Sequence, residues 1–503
     1  MAMALMACEP EFENPVSDLD AYSSGEADFS NYVAIGNSLT AGFADNALYI
    51  TGQKNSYPNI LAQQFAKVQE TADFDQPLMN DNAGGLLLNG TQIYGTRLVL
   101  AFDAEGNPAP RSYTGADPTT EVTETLTGPF SNMGVPGAKS FHLVSPGYGD
   151  VAGIALGTAN PYFARFASSA ETTVLADAVA QNPTFFTLWI GNNDVLSFAT
   201  SGGIGVDQTG NFNPATYGPN DITDPQVFAQ VYATLVTSMI EAGAEEGVLL
   251  NIPMVTDIPF FTTVPVNAIP LDEGTAAVLN TKFAAYNTQI LPGLAQQGVI
   301  TAAEMEARKI TFAAGLNYVT LSDEDLTDIS GILQQAPFNL DEATAHLLGQ
   351  LRQATQEDLI PLSSASVLGT AVGGDPSLVM GVSVPLGDQH VLTPDEQEMV
   401  ADATMAYNAV IKNIAEQHDL AFLDVAAILE ELSGPGIAFD AGMITSDFVT
   451  GGAFSLDGVH LTPRGSALLA NRIISEINET YDATVPKVNA GAYGTITPSN
   501  EVD

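Results

Sequence analysis

Basic residues are scarce in this 503-residue chain: 14 Lys and Arg stand against 59 Asp and Glu, a formal charge of −45. A surface this acidic repels phosphate backbones and anionic bilayers, which argues against nucleic acid as a partner. The acidic residues are spread through loops and helix starts, which reads as a solvated surface, with adaptation to salt as a further reading. Cysteine is almost missing. The single Cys8 excludes an intrachain disulfide and any metal site built on several thiolates. Long hydrophobic runs are missing too. The most apolar late stretch, residues 247–271, is interrupted by Asp257 and by Pro253, Pro259, Pro265 and Pro270, so it reads as buried strand and loop and not as a membrane span. The chain has no solenoid-period repeat and no low-complexity tract. It also lacks zinc spacing of His, Cys and carboxylates, a twelve-residue calcium loop, and a Gly-rich turn ending in Lys-Ser or Lys-Thr. No metal and no cofactor is expected.

What is present is a large apolar fraction, 45% of residues, enough for a sizeable core. The run Leu5-Met6-Ala7-Cys8 resembles a bacterial lipobox, making Cys8 a lipidation candidate and residues 1–30 a leader and acidic tether. Only seven residues precede Cys8 and none is Lys or Arg, so the charged and most of the apolar part of a signal peptide are missing. Either the true start lies upstream or the resemblance is accidental. The first reading implies the cell envelope, as an outer-membrane or surface lipoprotein held only through a lipid on Cys8. The other implies a secreted or periplasmic protein. Oligomeric state is not legible.

Strand and helix patterns alternate from residue 31 onward. Tyr32-Val33-Ala34-Ile35 is a short apolar run ended by Gly36, and residues 57–68 carry apolar positions at helical spacing. Residues 185–190 and 248–250 read as fully buried strands and 227–242 as a helix between them, the pattern of a parallel sheet covered on both faces. Thr393-Pro394-Asp395-Glu396 is a capping box opening a helix with Met399, Ala403, Ala406, Val410 and Ile414 along one face. Ala421-Phe422-Leu423 follows as a strand. Thr462-Pro463 opens a last helix with Leu469, Ile473 and Ile477 buried. The expectation is one α/β domain over 31–480, a three-layer α/β/α sandwich with a mostly parallel central sheet, followed by a tail at 481–503. Gly-, Pro- and Asn-rich insertions at about 84–129, 200–225 and 253–394 are too long for ordinary connections and are expected to wall or cover a site.

Four segments carry chemistry. Gly36-Asn37-Ser38-Leu39-Thr40-Ala41-Gly42 sets a serine on a turn at the carboxyl end of the first strand, where open α/β sheets place ligands. Phe454-Ser455-Leu456-Asp457-Gly458-Val459-His460 spaces an Asp three residues before a His, so that a carboxylate can orient an imidazole base. Asn132-Met133-Gly134-Val135-Pro136-Gly137 and Gly191-Asn192-Asn193-Asp194 supply turns with candidate oxyanion donors. Each alone also reads as an ordinary turn, and Asp457 also as a capping residue. His390, with Asp388 nearby and a Thr-Pro helix start after it, competes with His460 for the role of base. Spacing and C-terminal placement favour His460. His142, His346 and His418 read as surface or packing residues and Trp189 as core.

Taken in order, the four segments resemble the blocks of the SGNH (GDSL-type, flavodoxin-like) hydrolase family: an N-terminal Ser, a Gly, an Asn within Gly-x-Asn-Asp, and a C-terminal Asp-x-x-His. The resemblance covers residues 31–480 outside the insertions. It implies Ser38 as nucleophile, Asp457 and His460 as the rest of a triad, and an oxyanion hole from the backbone N–H groups of Ser38 and Gly137 with the Asn193 side chain. Asn37 departs from the family's Asp beside the serine. The implied function is cofactor-free hydrolysis of carboxylic esters through an acyl-enzyme, acting on a small-molecule, lipid or acylated-glycan ester. The alternatives are a carbohydrate O-deacetylase of the same family and a non-catalytic surface lipoprotein that binds glycans through its insertions.

Overall fold

The computed structural model describes residues 22–102, 106–439 and 442–502. Cys8 and its lipobox-like run lie outside the described residues. Five parallel strands form the central sheet: β1 (Tyr32–Gly36), β2 (Asn132–Gly134), β3 (Phe185–Trp189), β4 (Glu246–Leu250) and β5 (Ala421–Leu423), in the order β5-β4-β3-β1-β2. In β1 and β3 all five residues are buried, as strands covered on both faces require. The register aligns Gly36 with Trp189 on one side and with Gly134 on the other. The carboxyl ends of β1, β2 and β3 therefore finish level with one another.

Helices cover the sheet. The named helices are α1 (Ser38–Ala41), α2 (Tyr57–Phe65), α3 (Asn193–Thr200), α4 (Pro225–Glu241), α5 (Pro394–Gln417), α6 (Val425–Ser433) and α7 (Pro463–Thr480). α7 packs on α2, β4 and β5, while α5 packs on α3, α4, β4 and β5, giving a three-layer α/β/α sandwich. The capping box at Thr393 and Glu396 is formed, and Leu469, Ile473 and Ile477 are buried in α7 as their spacing predicts. The expected stripe of α5 holds at Ala403 and Ile414 and shifts by one residue at the other three positions. Met399 is 38% exposed and the buried face is Val400, Ala403, Tyr407, Ile411 and Ile414, with Tyr407 stacked on Phe228 at 4.2 Å. Tyr407 and Ile411 displace the smaller Ala406 and Val410 from the interior, while Val400 takes it in place of the larger Met399.

Three boundaries differ from expectation. The tether does not reach residue 30: Ala27 and Phe29 belong to the main core, with the Phe29 ring stacked on Phe65 at 4.0 Å. Phe29→Ala is expected to cost about 3–5 kcal/mol, as other buried Phe truncations do, measured by urea denaturation. The segment after residue 480 is not loose either. Tyr481 donates its hydroxyl to the Gly247 carbonyl at 2.8 Å, and the backbone near residue 498 pairs with Leu100. Finally, the insertion from about 253 to 394 has a hydrophobic core of its own, including Leu291, Leu294, Ile310, Val319, Leu321 and Ile360. Arg352 ties it further, paired with Asp358 at 2.6 Å and with Asp323. The 84–129 insertion forms two hairpins, Leu86–Leu88 with Thr91–Tyr94 and Leu98–Phe102 with Pro108–Ser112. No helix among the described residues is long and apolar enough to cross a membrane.

Candidate active site

The serine turn is built by β1 running directly into α1. Asn37 caps this short helix, its side-chain oxygen accepting from Leu39 N at 3.0 Å, which leaves Ser38 as the first helical residue. The catalytic-type turn near the C-terminus closes on itself. Ser455 N donates to the His460 carbonyl at 2.8 Å, and the Phe454–Leu461 bridge holds the base of the turn just before Thr462 caps α7. These two turns meet: His460 Nε2 lies 2.8 Å from Ser38 Oγ, and His460 Nδ1 lies 2.9 Å from Asp457 Oδ2.

The protonation pattern follows from the carboxylate. Asp457 accepts backbone N–H bonds from Val459 and His460 on Oδ1 and from Asn46 on Oδ2, plus the Ser455 hydroxyl. Burial alone raises a carboxyl pKa, but the His460 charge, the hydrogen bonds from His460 and the Asn46 N–H outweigh it and hold Asp457 well below the usual range. An ionised carboxylate only accepts, so Nδ1 carries a proton and Nε2 is left to accept from the Ser38 hydroxyl.

The segments carrying the candidate oxyanion donors are held by two side-chain bonds. Asn37 Nδ2 donates to Asn192 Oδ1 at 2.9 Å, tying the serine turn to the end of β3, and Asn193 Nδ2 donates to the Ala138 carbonyl at 2.9 Å. The second amide hydrogen of Asn193 remains available. Val135-Pro136-Gly137-Ala138 closes with Ala138 N donating to the Val135 carbonyl at 3.1 Å, with Gly137 at φ +80°. Pro at the second and a positive-φ Gly at the third position are the marks of a type II turn, whose central N–H points outward. Among the described residues, the Ser38 and Gly137 N–H groups donate to no protein acceptor. Gly191, at φ +116°, turns β3 into α3 where a Cβ would stand 2.5 Å from the Ile252 side chain. Buried Asp194 anchors this region through Ser140, accepting from its N–H at 2.8 Å and its hydroxyl at 2.7 Å.

Several supporting residues escaped the sequence reading. Asp45 and Asn46 both sit at positive φ, which places the Asn46 N–H on Asp457, while buried Asp45 accepts from Leu456 N and from the Tyr49 hydroxyl. The Asp-Asn pair, tolerant of left-handed backbone, was the available signal. Asn160 Nδ2 holds the Pro136 carbonyl from below at 2.8 Å. An aromatic row runs outward from the base: the Phe43 ring lies 4.7 Å from His460, Tyr162 lies 6.3 Å from Phe43, and Tyr94 of the 84–129 insertion stacks on Tyr162 at 5.6 Å. The longest insertion also reaches the site, Phe260 N donating to the Gly458 carbonyl at 2.9 Å. An apolar pocket beside the site is walled by Leu39, Asn192, Val459 and Leu461, sequence neighbours of the reactive groups and not those groups themselves.

The rival base is elsewhere engaged. His390 Nδ1 lies 3.0 Å from Ser364 Oγ within the long insertion. His142 is half-buried and stacked on Tyr148 at 4.5 Å; desolvation and the neighbouring Lys139 charge push its pKa down to about 3. His346 and His418 are exposed, and Trp189 is buried with its indole N–H on the Asn251 carbonyl. No protein-family model matches the chain, and no curated protein matches it either.

Proposed function

We propose that this chain is a serine-dependent carboxylic ester hydrolase of the SGNH type, and that it works without a cofactor. The observation that carries the reading is the continuous Asp457–His460–Ser38 hydrogen-bonded chain, beside which the Ser38 and Gly137 N–H groups have no protein acceptor among the described residues. His460 Nε2 takes the Ser38 proton as Oγ attacks the ester carbonyl carbon, and the carbonyl electron pair moves onto oxygen. The Ser38 and Gly137 N–H groups and the free Asn193 amide hydrogen hold that oxyanion. The imidazolium, balanced by Asp457, then protonates the departing alcohol. Water, deprotonated by the same imidazole, releases the acid and restores Ser38. The aromatic row of Phe43, Tyr162 and Tyr94 offers an apolar wall to the substrate next to the base.

Charge develops on the carbonyl oxygen only in the transition state, so the donors act on turnover. Asn193→Ala is expected to lower kcat by about 10²–10³ with KM little changed, read from steady-state kinetics. The reading itself is tested with p-nitrophenyl esters of increasing acyl length and wild type, Ser38→Ala, His460→Ala and His390→Ala in parallel. Activity should disappear in the first two variants and persist in His390→Ala, and the chain-length profile then defines the acyl group. A preference confined to acetyl esters directs the next assays to acetylated glycans. No hydrolysis of any ester by wild type contradicts the proposal and favours a binding protein.

A further inference from the structure

Where the long insertion meets the catalytic domain, three carboxylates crowd together. Glu324 of the insertion, Asp388 in the short turn Asp388–His390, and Glu396 in the first turn of α5 each bring a carboxylate oxygen within 4.8 Å of the other two. Glu396 is only 3% exposed. One of its oxygens is used by the capping box, accepting from Thr393 N at 2.6 Å and Thr393 Oγ1 at 2.9 Å. Its other oxygen, Oε1, is buried and accepts from no N–H or hydroxyl donor, and the same is true of Asp388 Oδ1; the group within hydrogen-bonding reach of both side chains is the Glu324 carboxyl. Among the described residues no Lys, Arg or His pairs with any of the three; Arg352 is taken up by Asp323 and Asp358.

The backbone over the cluster is stripped of side chains. Gly202 and Gly203, both at positive φ, follow α3. A Cβ on Gly203 would stand 1.5 Å from Glu396 Oε1, and one on Gly202 would stand 2.2 Å from the Asp388 carbonyl oxygen. Buried like charges with unmet oxygens are stable only if they bind protons or a cation. Burial, with Glu324 adding to it, pushes Asp388 up to about 7 and Glu396 up to about 8 when no cation is present.

The ligand chemistry is all oxygen and all anionic, which selects a hard divalent ion. Calcium accepts several protein carboxylates in a flexible geometry, whereas magnesium dehydrates reluctantly and is seldom held by an all-protein cage, so three protein carboxylates favour calcium. We propose that Glu324, Asp388 and Glu396 bind a calcium ion that ties the 253–394 insertion to the start of α5, where Gly202 and Gly203 after α3 pack against it. Because α3 begins at Asn193, the ion braces the helix that carries an oxyanion donor.

The test uses the full chain stripped with a chelator and desalted, titrated calorimetrically with calcium chloride and, separately, magnesium chloride at constant ionic strength. Thermal unfolding is followed in parallel. The expected result is saturable binding of one calcium ion per chain and a rise of several degrees in Tm that equimolar magnesium does not reproduce. Glu324→Gln combined with Asp388→Asn should abolish both, while the stripped variant unfolds no lower than stripped wild type because repulsion is relieved. If the double variant folds poorly, Glu324→Gln alone, at an exposed position, must still weaken calcium by about tenfold or more. Absence of saturable binding in wild type overturns the proposal. So does binding that survives unchanged in the variants, which would place the ion elsewhere on the acidic surface.

Discussion

Ser38→Ala is expected to reduce ester turnover by about 10⁶-fold, leaving only the residual rate that donors and binding supply. Among the described residues the Ser38 hydroxyl is the hydrogen-bond partner of His460 Nε2, at 2.8 Å, so no described neighbour inherits its role. His460→Ala should fall to a similar level, and the double variant should be no slower than either single one. Groups that act as a unit give such non-additive losses, whereas independent contributions would multiply. Folding must be shown unchanged by circular dichroism, since Ser38 caps no other element and its truncation leaves the Asn37 bonds in place.

Asp457→Asn should lower kcat by about 10⁴ while leaving the turn nearly intact. With an amide in place of the carboxylate, an N–H can face His460 Nδ1, which turns the imidazole to the tautomer whose Nε2 carries the proton. Such an Nε2 cannot accept from Ser38. The substitution also has a signature in stability. The Asp457 pKa is depressed below its ordinary value of 3.8 in the folded chain, so its contribution is present in full above about pH 5 and is lost as pH falls through and below 3.8. Urea midpoints of wild type should therefore decline more steeply than those of Asp457→Asn between about pH 5 and pH 2. An equal decline would show that other carboxylates govern acid unfolding.

The sheet was readable where burial wrote it into composition. β1, β3, β4 and β5 are apolar runs, and the Thr-Pro signals opened α5 and α7 where the helices begin. β2 was read as a turn because Asn132-Met133-Gly134 is short and polar; only its pairing with β1 makes it a strand. The buried face of α5 keeps Ala403 and Ile414 but shifts by one residue elsewhere, because Met399 and Val400, or Ala406 and Tyr407, satisfy the same spacing and the pattern alone does not choose between them. The separate core of the long insertion was hidden by its Gly- and Pro-rich segments.

At the site, Ser38, Asn193, Asp457 and His460 were legible because each block carries its chemistry in contiguous residues. Gly137 is singled out by the family resemblance alone, since the Asn132–Gly137 segment by itself reads as an ordinary turn. What the chain concealed acts across long sequence distances. Asn46 contributes only a backbone N–H to Asp457, 411 positions away, and Asn160 holds a carbonyl 24 positions back. The cluster of Glu324, Asp388 and Glu396 escaped any loop motif for the same reason, and Glu396 announced itself only as a cap.

The central claim is that His460 activates Ser38 as a nucleophile toward acyl carbon. Treating the protein with a fluorophosphonate and measuring intact mass, followed by peptide mapping, tests it most directly. The account predicts a single adduct on Ser38, absent in Ser38→Ala and strongly slowed in His460→Ala. Failure of wild type to label, or an adduct that persists in Ser38→Ala on another residue such as Ser364 beside His390, would contradict it.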